Sequence, residues 1–90
     1  MMYPYMTLDD DTEITHSEMK EDGSIKVYME TPDEKDGFHN ATCWLPKRRW
    51  ECVSGYSDSD IERLKKIIDS NANLIIEFSQ QCGFLNTENL

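Results

Sequence analysis

The stretch Ser24-Ile25-Lys26-Val27-Tyr28-Met29-Glu30 decides the fold that the sequence predicts. Its apolar and polar side chains alternate, which is the two-residue period of a strand with one buried face. The preceding segment, Lys20 to Ser24, contains an Asp-Gly pair that supplies the positive φ angles of a tight turn. The segment from Glu13 to Lys20 is a second candidate strand. Residues 13–31 are therefore predicted to form an antiparallel hairpin.

A third strand is predicted after this hairpin. Residues 31–37 have the composition of a turn, and Phe38 to Leu45 again read as a strand. Pro46 has no N–H to donate to a sheet, so it should end that strand. The next segment, residues 47–53, fits either a short extended piece or a wide loop.

A long amphipathic helix is predicted in the last third of the chain. Ser57 is a favourable N-cap, and acidic residues follow in the first turn, where the helix dipole favours them. Apolar residues then recur every three or four positions up to Cys82. Residues 69–73 are weak helix formers, but the apolar stripe stays in phase across them and favours one helix. Gly83 is suited to a left-handed C′ position that ends it.

These elements predict an α+β fold, in which a three-stranded, mostly antiparallel sheet packs one face on the long C-terminal helix. The predicted core joins strand and helix residues: Ile25, Val27, Met29, Ala41, Cys43, Leu45, Ile61, Leu64, Ile68, Ile75 and Phe78. The other sheet face would stay open and permit a homodimer. The predicted boundaries are a flexible N-terminal arm (1–11), a single domain (12–84) and a frayed tail (85–90).

The acidic charge is concentrated in the first half of the chain. Up to Pro46 there are eleven Asp or Glu against three Lys, and beyond it seven acids against six bases, which gives the net charge of −9. A field of this sign favours basic partners and opposes bare nucleic acid over about 8 Å at physiological salt. The chain has no apolar run long enough for a bilayer, no signal-peptide pattern, and three irregularly spaced cysteines. A cytoplasmic location without membrane contact is therefore expected.

The sequence carries no recognisable catalytic or metal-binding motif. The cysteines and histidines form no short-spaced ligand pairs, and no glycine-rich loop is present to hold a phosphate. On the predicted third strand, His39 and Cys43 would lie roughly 13 Å apart, too far for a nucleophile and its base. The run Asp9-Asp10-Asp11 lacks a shaped loop and is interpreted as a solvated acidic arm. No catalytic residue, metal or cofactor is predicted, so the protein is expected not to be an enzyme.

Two groups of residues are the candidate partner-binding residues. The first is acidic and is expected to cluster near one edge or end of the sheet, unless it only keeps the protein soluble: Glu13, Glu18, Glu21, Asp22, Glu30, Asp33, Glu34 and Asp36. The second is a basic island flanked by tryptophans: Trp44, Arg48, Arg49 and Trp50. Three interpretations of the island remain open, namely indoles in the core, contact with phosphates and bases, or a protein-interface hot spot.

From residue 41 to residue 80 the chain resembles a group of small bacterial proteins of unknown function. The matching residues are Trp44-Leu45, Gly55-Tyr56-Ser57 and the helical run from Ile61 to Phe78. Members of that group often lie beside toxin–antitoxin or mobile-element genes, which implies a similar context here. The paired histidines of the group's early strand are missing, so no functional residue is carried over.

The leading functional prediction is a non-enzymatic acidic inhibitor or adaptor of bacterial or phage origin. It would dock on a basic, nucleic-acid-binding surface of a partner protein such as a nuclease, toxin or defence effector. The alternative is a small nucleic-acid-binding or RNase-type protein of a toxin–antitoxin pair, acting through Lys47 to Arg49 with His16 or His39 nearby. An accessory domain whose dimer serves as a scaffold is the third possibility.

Overall fold

Five strands and one helix follow one another along the chain in the computed structural model, which describes the backbone of residues 1–88 and the side chains of residues 1–81. The elements are β1 (Met2–Thr7), β2 (Glu13–Ser17), β3 (Ile25–Asp33), β4 (Gly37–Leu45), β5 (Arg49–Ser54) and α1 (Asp58–Glu88). The strands form one sheet in the order β1-β2-β3-β4-β5, with every neighbouring pair antiparallel. The predicted α+β class is confirmed, but the sheet has five strands and not three.

The centre of the sheet follows the local sequence pattern. The turn between β2 and β3 contains Gly23 at φ 84°, and the Asp22 carboxylate accepts hydrogen bonds from the backbone N–H and the hydroxyl of Ser24. Strands β3 and β4 pair from Ile25 opposite Leu45 to Asp33 opposite Gly37. The β3–β4 turn is thus shorter than predicted, because residues 31–33 continue the strand.

Strand β1 occupies residues that were predicted to form a flexible arm. It pairs with β2, and the Tyr5 hydroxyl donates a 2.7 Å hydrogen bond to Oδ1 of Asn71 on α1. The Tyr5 ring also lies against Phe78, with ring centroids 6.0 Å apart. Residues 2–7 are therefore an edge strand fastened to the helix, while the acidic residues 9–11 belong to the turn that follows.

Strand β5 settles the open alternative for the segment after Pro46. Arg49–Ser54 pairs with β4, so this segment is extended and forms the second edge of the sheet. The pairing is irregular between Asn40 and Thr42, and Cys52 has a positive φ of 55°. This irregularity explains why the strand shows no clear alternation in the sequence.

Helix α1 is continuous across residues 69–73, as the apolar stripe predicted. Within that run Ala72 is buried, and the side-chain amide of Asn71 donates a 2.7 Å hydrogen bond to the Ile67 carbonyl. At the N-terminus the Ser57 hydroxyl accepts a hydrogen bond from the Asp60 backbone N–H, and the Asp60 carboxylate accepts one from the Ser57 N–H. This reciprocal pair is a capping box.

The C-terminus of the helix differs from the prediction. The helix continues to Glu88, past Gly83, so the predicted end of the helix at Gly83 is not present. Residues 89–90 of the predicted tail lie outside the described residues. Helix propensity is only a weak guide at such a boundary, because a glycine costs about 1 kcal/mol within a helix and does not forbid it.

The helix covers one face of the sheet. The buried apolar core consists of Ile14, Ile25, Val27, Met29, Ala41, Cys43, Leu45, Leu64, Ile68, Ala72 and Ile75. Two predicted core residues differ: Ile61 is only partly buried, and the Phe78 side chain is 40% exposed and packs against Tyr5 of β1 instead. In the described part of the chain, no element covers the opposite sheet face, which carries Tyr28 and Trp44. In the described residues, helix α1 does not combine the length and the apolar character that crossing a bilayer requires.

Candidate functional site: an acidic end and a basic groove

The antiparallel order of the strands places alternate connections at opposite ends of the sheet. The β1–β2 turn, the β3–β4 turn and the loop from β5 to α1 therefore lie at one end. We define this acidic end as residues 7–13, 30–39 and 55–61. It contains ten acidic residues and one lysine, Lys35, whereas the rest of the chain has eight acidic and eight basic residues. The whole net charge of −9 thus lies at one end of the molecule.

A chain of hydrogen-bonded hydroxyl groups, buried or half-buried, connects the elements of the acidic end. The Thr12 side chain is fully buried, and its hydroxyl donates a 2.7 Å hydrogen bond to Oδ1 of Asp10. Since that bond uses the only Thr12 hydroxyl proton, the Thr31 hydroxyl 2.6 Å away must donate to Thr12, and the Tyr56 hydroxyl 2.7 Å further must donate to Thr31. The network joins β1–β2, β3 and the β5–α1 loop.

The Asp10 carboxylate is the acceptor at the end of this chain. The Thr12 hydroxyl is the main reason that the pKa of Asp10 is lowered, and Arg63 adds a 2.6 Å ion pair from α1. Desolvation by burial raises the pKa of Tyr56, so its phenol stays protonated and can donate. At the helix N-terminus, the backbone N–H of Ser57 is the main reason that the pKa of Asp60 is lowered. Hydrogen bonds and an ion pair thus position the Asp10 and Asp60 carboxylates.

A recess on the open sheet face lies within the acidic end. It has a volume of about 470 Å³ and is lined by Asp11, Glu13 and Glu30 together with the apolar side chains of Pro32 and Phe38 and by Thr7. Phe38 is 55% exposed. Three carboxylates around an exposed aromatic ring can accommodate a lysine or arginine side chain, whose aliphatic stem contacts the ring while its charge meets the carboxylates.

A cluster of two aspartates and a histidine lies beside this recess, on the β3–β4 turn. Nε2 of His39 is 3.3 Å from Oδ2 of Asp36 and 3.7 Å from Oδ2 of Asp33. Oδ2 of Asp33 also accepts hydrogen bonds from the backbone N–H groups of Lys35 and Asp36. The His39 ring lies edge-on to Tyr56, with ring centroids 5.6 Å apart. The sequence reasoning missed this cluster, whose only signal is the spacing Asp-x-x-Asp-x-x-His across a tight turn.

The opposite end of the molecule carries a basic groove. This groove of about 580 Å³ is lined by Trp44 and three cationic side chains, those of Lys20, Lys47 and Arg49, with Asp22 among them. The indole N–H of Trp44 donates a 2.7 Å hydrogen bond to Oε1 of Glu51, which fixes the ring on the open sheet face.

The rest of the predicted basic island is not part of the groove. Arg48 pairs instead with Asp69 of α1 at 2.7 Å. Trp50, opposite Cys43 in the sheet, packs against the core on the helix side. The island is therefore divided among the groove, an ion pair with the helix and the core.

The predicted acidic set is also divided between the two ends. Glu30, Asp33, Glu34 and Asp36 lie at the acidic end, whereas Glu18, Glu21 and Asp22 lie at the β2–β3 turn, about 30 Å away along a nine-residue strand. Glu18 there pairs with the N-terminal ammonium group at 3.6 Å. Glu13 of the predicted acidic set also lies at the acidic end, which gains five members that the prediction left out: Asp9, Asp10, Asp11, Asp58 and Asp60. The antiparallel order of the five strands brings the turns that carry these residues to the same end of the sheet.

Neither Cys43 nor His16 is placed to act in nucleophilic catalysis. Cys43 is buried, and desolvation raises the pKa of its thiol to about 11, so the thiolate is not available near neutral pH. The buried His16 ring is engaged through Nδ1 with the Ser17 carbonyl. The chain matches no family model, no curated protein and no solved structure.

Proposed function

We propose that this chain is a non-enzymatic acidic binding protein whose acidic end docks on a basic surface of another protein. The observation that carries this proposal is the concentration of the whole net charge at one end of the molecule. The partner fitted by such an end is a nucleic-acid-binding protein, such as a nuclease, toxin or defence effector. The protein would then act as an inhibitor or adaptor of bacterial or phage origin.

The arrangement of charge argues against a surface that only keeps the protein soluble. Solubility is served by charges of both signs spread over the surface. Here Glu13 and Glu30 lie directly opposite each other on β2 and β3, where like charges are destabilising. A cluster that costs stability and is held in place by hydrogen bonds is typical of a binding surface.

The fixed carboxylates suit a partner that normally holds a polyanion. A nucleic-acid-binding surface presents lysine and arginine side chains that neutralise phosphates. The acidic end offers these cations carboxylates that are already positioned by Thr12, Ser57 and the β3–β4 backbone. Positioned groups lose less conformational entropy on binding, so a nucleic acid can be displaced. The recess at Phe38 supplies apolar contact for one cationic side chain.

The test compares two variants that each remove three negative charges. The first neutralises the recess with Asp11→Asn, Glu13→Gln and Glu30→Gln, and the control carries Glu21→Gln, Glu62→Gln and Glu77→Gln, which lie outside the acidic end. Binding to a panel of purified nucleases and toxins is measured at about 50 mM and 500 mM NaCl, since the higher salt shortens the Debye length to a few ångströms. Poly-L-lysine serves as the reference for nonspecific attraction.

The expected result is a panel member that binds much more tightly than poly-L-lysine, loses its activity on nucleic acid, and is released at high salt. The recess variant should weaken this binding by at least about tenfold, the loss of one or more well-placed charge pairs, while the control variant changes it little. A partner held equally at both salt concentrations, or one released equally by both variants, would contradict electrostatic docking through the acidic end.

The basic groove supports a second candidate, contact with a single-stranded nucleic acid. Its specific observation is that Lys20 joins Lys47 and Arg49 around the Trp44 ring, so cations and a stacking surface occur together. An RNase-type activity has less support, because His16 is buried and His39 lies at the acidic end. If Lys47→Glu with Arg49→Glu abolishes RNA or DNA binding and leaves the nuclease contact intact, the groove is the nucleic-acid site. If this variant loses its binding to the nuclease instead, the groove and the acidic end act as one shared binding surface.

A further inference from the structure

We propose that Asp33, Asp36 and His39 bind a divalent transition-metal ion, with Zn²⁺ as the best match. The three donor atoms all lie within 4.8 Å of one another at the tip of the β3–β4 hairpin. The proposal goes beyond the docking function and does not depend on it, since none of the three residues lines the recess or the groove.

The two distances from the imidazole nitrogen to the carboxylates are close to those of groups that share an ion. Nitrogen and oxygen ligands about 2.0–2.2 Å from a tetrahedral zinc ion are roughly 3.3–3.6 Å from each other. His39 Nε2 lies 3.3 Å from Asp36 Oδ2 and 3.7 Å from Asp33 Oδ2. Only a small movement of the exposed Asp36 side chain is needed to place all three around one ion.

The His39 imidazole is held in place by packing contacts that do not involve the two carboxylates. Gly55, at φ 90°, lies so close to the ring that a Cβ atom there would come 2.3 Å from Cδ2 of His39. Tyr56 holds the ring from its edge, and the His39 side chain is only 18% exposed. Oδ2 of Asp33 is positioned separately, by hydrogen bonds from the backbone N–H groups of Lys35 and Asp36. Outer contacts that orient ligating side chains in this way raise metal affinity.

The donor set and the surrounding charge select the kind of ion. One imidazole with two carboxylates suits Zn²⁺ and its first-row neighbours better than Ca²⁺ or Mg²⁺, which prefer oxygen ligands alone. Three protein ligands leave at least one coordination position for water or for a partner's side chain. The negative field of the acidic end raises the local concentration of any divalent cation. The same field alone would attract cations diffusely, so the test must separate coordination from attraction.

The test uses the full chain with Cys52→Ser and Cys82→Ser, because thiolates would bind zinc independently, and with no affinity tag. Zn²⁺ binding is measured by isothermal titration calorimetry and by the side-chain ¹⁵N signals of the two histidines. The expected result is binding of one ion per chain, a shift of the His39 Nε2 signal and no shift for His16. At free Zn²⁺ about 100 times the dissociation constant, Tm should rise by roughly 10–20 °C.

Matched variants separate coordination from diffuse attraction. Asp36→Asn and His39→Gln should each weaken binding by at least about tenfold. The control, Glu34→Gln, removes the same charge as Asp36→Asn from an exposed side chain in the same turn and should weaken binding no more than about twofold, through the field alone. Circular dichroism verifies that each variant is folded, and Asp36→Asn keeps the test valid if His39→Gln is unstable. Equal weakening by Asp36→Asn and Glu34→Gln, or an unshifted His39 signal at saturation, would overturn the proposal and leave a simple ion pair.

Discussion

At the scale of single residues, Gly37 and Gly55 differ although both have a positive φ angle. Gly37 follows the β3–β4 turn at φ 82°, and an added Cβ atom would meet nothing within 4 Å. Gly55 follows β5 at φ 90°, and an added Cβ atom would collide with the His39 ring. The first glycine meets a backbone requirement alone, whereas the second also leaves the space that lets the ring reach its place beside Tyr56.

This contrast makes a prediction for alanine substitutions. Gly37→Ala should lower the free energy of unfolding by about 1 kcal/mol, the cost of a left-handed conformation for a residue with a Cβ atom. Gly55→Ala should cost a further 1–3 kcal/mol or so, because the ring must also move. Urea unfolding curves for the two variants measure the difference. Equal losses would mean that the His39 ring is not packed on Gly55.

At the scale of elements, α1 is bound to the sheet by a narrow line of residues. Leu64, Ile68, Ala72 and Ile75 are fully buried, while Leu74, one position before Ile75, is 47% exposed. The apolar stripe in the sequence is thus broader than the face that the sheet covers. A helix of 31 residues is about 46 Å long, whereas the longest strands have nine residues and span about 30 Å.

Two leucines of the same helix test this distinction. Leu64→Ala should lower the free energy of unfolding by about 2–5 kcal/mol, because it opens a cavity in the core. Leu74→Ala removes the same atoms from a half-exposed position and should change stability by no more than about 0.5 kcal/mol. Thermal or urea unfolding followed by circular dichroism compares them. A large loss at Leu74 would indicate that another chain covers this side of the helix.

The elements that could be predicted are those whose local pattern agrees with their packing. Strand β3 alternates regularly, β4 lies between a turn and Pro46, and α1 has a cap and a stripe in phase, so the sequence alone was enough to predict them. Strand β1 was missed because the irregular pairing between Pro4 and Met6 directs both Tyr5 and Met6 toward the helix side, which breaks the two-residue period. The irregularity near Cys52 hides β5 in the same way.

The candidate site was less predictable than the fold, because it depends on which turns share an end. The sequence shows Asp9–Asp11 and Asp33–Asp36 more than twenty positions apart, and only five antiparallel strands bring them together. The division of Glu21 and Asp22 from Glu30 and Asp33 follows from the same strand order. The contact of His39 with Gly55 is a tertiary one, and no local pattern encodes it.

At the scale of the whole molecule, the acidic end is a source of instability that the rest of the protein must offset. The residues outside it have no net charge, so the mutual repulsion of its carboxylates is not relieved by an excess of cations elsewhere. Arg63 and Lys35 are the cations in or beside this end. Repulsion of this kind is reduced by salt, because mobile ions shorten the range of the field.

Removing one of the two opposed glutamates should therefore stabilise the protein. Glu13→Gln is expected to raise the free energy of unfolding by about 0.2–1 kcal/mol at low salt, because Glu30 then faces a neutral side chain. Glu77→Gln, an exposed position on α1, is the control and should have little effect. Unfolding measured over a range of NaCl concentrations should show the gain of Glu13→Gln shrinking as salt is added. A gain that persists at high salt would point to hydrogen bonding or packing rather than to repulsion.

Charge separated in this way also affects how the molecule moves before it touches anything. A body that is neutral along most of its length and strongly anionic at one pole experiences a torque in the field of a cationic surface. This torque rotates the molecule during approach, so that the anionic pole meets the cationic surface first and the basic groove faces away from it. A larger share of encounters then starts in a productive orientation, and association becomes fast in dilute buffer.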